Sequence, residues 1–406
     1  MGIRSRYQRS YAMLEEAKKI IPGGVQASRR PLIEGRSPVY IERAKGSHCW
    51  DVDGNEYIDY SLSLGPIILG YAHPRVDEAA IRQLRQGIVF TFNHPLQNRL
   101  AEKLVEHVPS VEMATFFKTG SEATSAAVRV ARAYTGKERI ARCGYHGWHD
   151  WCNVGGKGVP AVLEGQTLGF EANKPEALEA LFQQHPNEFA AVIVAPETVT
   201  PDNTGVLHGL IETAHKHRAV FILDEVKTGF RMGLGGFQGR VGIAPDLTTF
   251  SKAMANGYPI GALAGRREVM RAAEEVHISA TFNGEVVSMA ASLATIEILE
   301  QPGNLEHIWQ MGERLISGLN QLARKHGVDA VAAPEPMPPM PFMRFTGEGE
   351  TVERLREEFY AEMYAQGVLL TWGHVWFISL AHSEQDIERT LEIADAAFET
   401  ALERTA

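Results

Sequence analysis

Between about residues 113 and 250 the chain alternates short unbroken apolar runs with longer stretches at helical spacing. Met113-Ala114-Thr115-Phe116-Phe117, Arg139-Ile140-Ala141, Ala190 to Ala195, Val220 to Leu223 and Leu247 to Phe250 are the runs. Near-continuous apolar strands separated by helices predict a mostly parallel sheet covered on both faces. The clearest helix between them is Ser121 to Tyr134, rich in Ala, Val and Arg and closed by Gly136. Before this region, Tyr7 to Ile21 has helical spacing and stops at Pro22-Gly23-Gly24. Pro38-Val39-Tyr40-Ile41 and His48-Cys49-Trp50-Asp51 predict short strands, and Asp51-Val52-Asp53-Gly54-Asn55 a hairpin leading into Tyr57 to Tyr60. Past about Gln301 the texture changes. Helical Leu305 to His326 leads through a proline-rich connection, Pro334 to Pro339, to strand candidates Phe342 to Phe345, Val368 to Leu370 and Val375 to Ile378. A closing helix starts at Ser383. The expectation is an α/β protein: residues 61–300 form a large domain with a mostly parallel sheet. Residues 301–406 form a smaller α+β domain, and residues 1–60 an N-terminal segment packed with it.

The bulk numbers narrow the function classes. With 406 residues, 44% hydrophobic and 22% charged, the chain can bury a large core. A formal net charge of −10 argues against general nucleic-acid binding, which wants a basic face. No run approaches the apolar length of a membrane span, and Met1 to Lys19 lacks the apolar core of a secretion signal. Three cysteines fit a reducing compartment better than a disulfide framework, so a cytoplasmic enzyme is expected.

Chemistry concentrates where the apolar runs end. Asp224 closes one run, and Lys252 follows the next by two residues. A buried carboxylate keeps a pyridine nitrogen protonated, and a lysine amine forms an imine with an aldehyde; pyridoxal 5′-phosphate (PLP) requires both groups. Thr119-Gly120-Ser121, between a strand and a helix, offers backbone N–H groups to an anion, or is an ordinary N-cap. Tyr145, in Gly144-Tyr145-His146-Gly147, is placed to stack on a planar ring. The same segment offers Cys143, His146, His149 and Cys152. Uniform three-residue spacing within one tight turn does not suit zinc, however, and no metal is expected. Gly155-Gly156-Lys157-Gly158 reads as a candidate lid. Gly233-Leu234-Gly235-Gly236 lacks the spacing of a dinucleotide site.

These residues, together with Ile21-Pro22-Gly23-Gly24-Val25, the segment Trp50 to Tyr60, the segment Gly65 to Pro74, and Ser251-Lys252-Ala253 with Asn256 to Gly261, resemble the class III (subgroup II) aminotransferases. The likeness is greatest to the glutamate-1-semialdehyde aminomutase branch. It implies PLP-dependent transferase fold type I, aspartate aminotransferase-like, and a homodimer with active sites at the interface. It also implies Lys252 as the Schiff-base lysine, Asp224 as partner of the ring nitrogen, and Tyr145 as the stacking ring. Thr119, Gly120 and Ser121 would cradle the phosphate, with Thr281 reaching it from the neighbouring subunit. Val226, His146, Glu197 and Lys227 would line the cofactor, and Arg30, Ser63 and His374 the substrate, a small, anionic amine or amino acid. Lys227, where the family has methionine or glutamine, is either close to the cofactor's phenolic oxygen or paired with Glu225 or Glu197. Leu64 and His374 depart from the aminomutase pattern and put the semialdehyde in doubt. The expected activity is amino-group transfer; an aminomutase, amine lyase or racemase on the same scaffold is the alternative.

Overall fold

The computed structural model describes residues 6–26, 32–199 and 203–406, with the backbone alone at 333–336. The chain divides into two compact units, residues 1–73 with 306–406, and residues 74–305.

In the first unit, strands β1 (Ile41–Lys45), β2 (His48–Asp51) and β3 (Glu56–Asp59) form an antiparallel meander, and β13 (Val368–Leu369) adds to β3 in parallel. The β2–β3 turn is fixed by Asp51, whose carboxylate accepts from the Asn55 backbone N–H at 2.8 Å and the Tyr57 hydroxyl at 2.8 Å. Strands β11 (Ala330–Met337) and β12 (Met340–Phe345) make a separate antiparallel pair. Helices Asn304–Lys325, Glu350–Ala365 and Glu384–Thr405 follow the predicted order, the last capped by Ser383 and Asp386.

Three predictions differ from the structure here. The first strand begins at Ile41, where the predicted one ends. The proline-rich stretch belongs largely to β11, in a pair where both strands are edges and the register shifts between Ala333 and Met337, so missing N–H donors are tolerated. Residues 375–378 run extended without joining a ladder. Trp376 N–H and Ile378 N–H donate to the Pro341 and Pro339 carbonyls, and Phe377 N–H donates to Tyr60.

The second unit is built on a seven-stranded sheet among the described residues. Its members are β4 (Met113–Phe117), β5 (Arg139–Cys143), β6 (Thr167–Gly169), β7 (Phe189–Val194), β8 (Val220–Asp224), β9 (Leu247–Phe250) and β10 (Gly261–Gly265). The order is β4-β10-β9-β8-β7-β5-β6, parallel except that β10 runs against both its neighbours. Strand β10 was not legible: Gly-Ala-Leu-Ala-Gly lacks the β-branched and aromatic residues that mark strands. Helix Gly120–Thr135 lies on the sheet through Ala123, Ala127, Val130 and Ala131, which pack with Phe117, Ile140, Ile193, Ile222 and Leu263. Small alanines let that helix approach the sheet closely, and its first turn is thereby fixed at the sheet's rim. Among the described residues no helix is long and apolar enough to cross a membrane.

Candidate active site

Strands β4, β5, β7, β8 and β9 point the same way, so their C-terminal ends share one rim. In open α/β sheets ligands collect at that rim. Thr119 to Ser121 follow β4, Tyr145 and His146 follow β5, and Glu197 follows β7. Asp224 ends β8, with Val226 and Lys227 just beyond, and Lys252 follows β9.

At the β4 rim a capping box closes the helix. The Thr119 hydroxyl accepts from Glu122 N–H at 3.2 Å, and the Glu122 carboxylate accepts from Thr119 N–H at 2.8 Å. The cap and the anion cradle are therefore compatible. Thr119 serves the cap, while the first-turn N–H groups at Gly120 and Ser121 face outward with no intrahelical acceptor. Gly120 is required by its neighbour, because a Cβ there would lie 2.8 Å from a Val226 methyl. A Cβ at Gly147 would collide with Ser121, and the Gly147 φ of +111° also favours glycine.

Asp224 is buried and its carboxylate is surrounded. Oδ2 lies 2.7 Å from His146 Nδ1, and Oδ1 accepts from the Thr249 hydroxyl at 2.9 Å and from Val226 N–H at 3.1 Å. His146, buried with Nε2 unpartnered, thus acts on Asp224. Tyr145 beside it is 66% exposed, free to cover a planar group at the rim. Lys252 adopts a left-handed backbone, φ +38°, a conformation that costs energy in a non-glycine residue and marks a constrained site. Its amine is pushed down to about 8, first by burial and next by the Lys227 cation; Glu197 and Asp224 oppose the shift, and Arg231 adds to it. Lys227 Nζ sits 2.6 Å from Glu197 Oε1. Glu225 is engaged elsewhere, accepting from the Phe237 and Gln238 backbone and from the Thr228 hydroxyl.

Thr281 lies on an exposed turn of the same unit. Arg30 falls outside the described residues. Ser63 and His374 belong to the other unit. Ser63 lies in a turn, Leu62–Leu64, whose three residues all have positive φ. That turn closes at Gly65 against the ring of Phe377, and His374 is 5.9 Å from the same ring.

The four thiols and imidazoles near Tyr145 have separate partners. Cys143 donates to the Thr198 hydroxyl, Cys152 to backbone carbonyls, and His149 meets Ser125 at 2.6 Å. Glu106, His107 and Glu300 also approach one another, but Lys103 occupies Glu300 at 2.7 Å, which makes the group an ion-pair cluster.

Two participants were missed in the sequence, Thr249 and Arg231. Thr249 sits directly across from Asp224 in the β8–β9 register, and a hydroxyl inside an apolar run was the available signal. Arg231 is fully buried, its guanidinium pushed down to about 9 by burial. Only the fold brings it near Lys252.

The class-III aminotransferase family profile matches residues 33–153 and 160–392, and the chain belongs to that family. It is 38% identical to 3-aminobutyryl-CoA aminotransferase of Cloacimonas acidaminovorans (strain Evry), over 97% of both chains. It is also 38% identical to glutamate-1-semialdehyde 2,1-aminomutase of Desulforamulus reducens, over 97% of this chain and 98% of the relative. Among solved structures, the PLP internal aldimine form of the FumI protein of Sphingopyxis sp. MTA144 superposes with a TM-score of 0.91 at 30% identity, covering 98% of this chain and 97% of that one. The chain is a PLP-dependent class III aminotransferase of fold type I, which moves an amino group between an amine or amino-acid donor and a carbonyl acceptor. The donor set fits the cofactor: a depressed lysine amine, a carboxylate held by three donors, and a helix N-terminus cleared by a glycine.

Proposed function

We propose that Lys252 is the residue that bonds the cofactor and carries the proton in the transfer, with Asp224 facing the ring nitrogen. The observation that carries this reading is the shared rim, which sets a buried lysine with a lowered amine pKa and a buried, hydrogen-bonded aspartate on adjacent strand ends. Bound PLP supplies an aldehyde that condenses with amines and a protonated ring that accepts electron density from the substrate carbon. Asp224 would accept from the ring N–H, and the His146, Thr249 and Val226 contacts hold its carboxylate in place. Gly120 and Ser121 would hold the phosphate through backbone N–H groups. Tyr145 and Val226 would pack against the ring. Lys252, as a free amine, would take the proton from the substrate carbon and hold it for return.

The molecule is read as a cytoplasmic homodimer that completes each phosphate site with Thr281 of its neighbour. Buried free thiols support that compartment. Arg30 and His374 are assigned to the substrate, a small anionic amine. The name of the 3-aminobutyryl-CoA relative favours an amine not adjacent to the carboxyl carbon. The aminomutase relative supports a second reading, separated by products: a mutase needs no external acceptor.

Borohydride reduction followed by peptide mass mapping tests the assignment. The expected adduct is on residue 252, and Lys252→Ala is expected to lose both adduct and turnover. An adduct elsewhere, or normal turnover in Lys252→Ala, would sink it.

A further inference from the structure

Lys227 and Glu197 come from different strand ends, β8 and β7, and meet at 2.6 Å with side chains 17% and 12% exposed. The second oxygen of Glu197 is buried and has no hydrogen-bond partner among the described residues. A pair this withdrawn from water gains little net stability, since desolvation of two charges offsets most of their attraction. Its position suggests another use. The charged groups bearing on Lys252 are Lys227 and Arg231, which disfavour its ammonium, and Glu197 and Asp224, which favour it. A neutral side chain at 227 would leave Glu197 as an uncompensated anion beside Lys252 and hold its proton on. Arg231 is fixed in the core, and Asp224 is committed to His146, Thr249 and the Val226 N–H. The Lys227–Glu197 pair is the remaining adjustable element.

We propose that Lys227, pinned by Glu197, is a positioning residue that sets how readily Lys252 gives up and regains its proton. Lys227 pushes Lys252 toward the free amine, and Glu197 holds the Lys227 ammonium in place and limits the push. The proposal rests on the reading of Lys252 as the cofactor-bonding lysine.

The test uses the cofactor-free full-length protein. Acetic anhydride labelling of Lys252, followed by mass spectrometry across pH, reads the proton affinity of that amine without any turnover. In Lys227→Met the labelling midpoint is expected to rise by about one pH unit, so labelling near pH 8 falls several-fold. Lys227→Arg keeps the charge and is expected to keep the wild-type midpoint. Glu197→Gln, which serves also if Lys227→Met does not fold, is expected to lower it. A purely structural pair would not move the midpoint in opposite directions. An unmoved or lowered midpoint in folded Lys227→Met overturns the proposal, as does an unmoved or raised one in Glu197→Gln. Borohydride trapping on residue 252 of the wild-type holoenzyme checks the underlying reading separately, because the labelling curve does not depend on it.

Discussion

Lys252 is placed where its own stability would not put it. Its backbone is left-handed and its amine is pushed down to about 8 by burial and by neighbouring cations. Below pH 8 the amine is protonated in both folded and unfolded chains, and the folded state bears the whole cost of a disfavoured ammonium. Between about 8 and the unfolded value the native amine is neutral while the unfolded one still binds a proton, so stability rises with pH. Lys252→Met, of similar length and uncharged, is therefore expected to abolish turnover and to stabilise the cofactor-free protein at pH 7 by about 1–3 kcal/mol. The gain should shrink as pH climbs through 8 to 10. Denaturant melts of both proteins across that range check it; a destabilised Lys252→Met at pH 7 would contradict it. At this scale the sequence was informative where a chemically distinctive side chain ended an apolar run, as at Asp224 and Lys252. It was silent where function depends on register: Thr249 meets Asp224 only because β8 and β9 align, and His146 turns from the rim toward Asp224 only once β5 is in place.

Strand ends and close-approach glycines convert the sheet into a site. Gly120 has ordinary helical backbone, so its requirement is steric: an added methyl would meet the Val226 methyls at 2.8 and 2.9 Å. Gly120→Ala must push the helix N-terminus or the Val226 turn outward, misplacing the N–H groups assigned to the phosphate. Such overpacking costs about 1–3 kcal/mol, hence roughly five- to hundredfold weaker PLP binding by fluorescence titration. Because no left-handed backbone is involved, adding Gly120→Ala to Val226→Ala is expected to cost little affinity beyond that of Val226→Ala alone, the reference here since Val226 is also read as packing against the ring; a further loss as large as in Gly120→Ala would mean the effect is not the clash. Elements with periodic or unbroken apolar patterns, such as β4, β9 and helix Gly120–Thr135, were legible. Those specified by their neighbours were not. Strand β10 is made of small residues because close packing forbids larger ones; a Cβ at Gly261 would lie 2.6 Å from the Thr119 carbonyl oxygen. Residues 375–378 look like a strand in sequence but satisfy their N–H groups on two different segments.

For the whole molecule, the surface the chain leaves apolar bears on the partner copy proposed above. In the unit that carries the rim, Phe92 is 87% and Phe282 61% exposed. Their segments are joined, since Val286 N–H donates to the Ile88 carbonyl at 2.9 Å. Large exposed apolar side chains on joined segments suit the homodimer proposed above, and Thr281 lies beside Phe282 on the same turn. In a twofold dimer every substitution acts twice. Losing the burial of one phenylalanine costs about 1.5–3 kcal/mol, so Phe92→Asp should weaken dimerisation by roughly two to four orders of magnitude. Sedimentation velocity at micromolar protein is expected to show wild-type dimers and variant monomers. Because Thr281 is assigned to the neighbour's phosphate site, the monomers should also lose PLP on dilution faster than wild type. Monomeric wild type, or a Phe92→Asp monomer that retains cofactor as the dimer does, would remove the neighbour from the site.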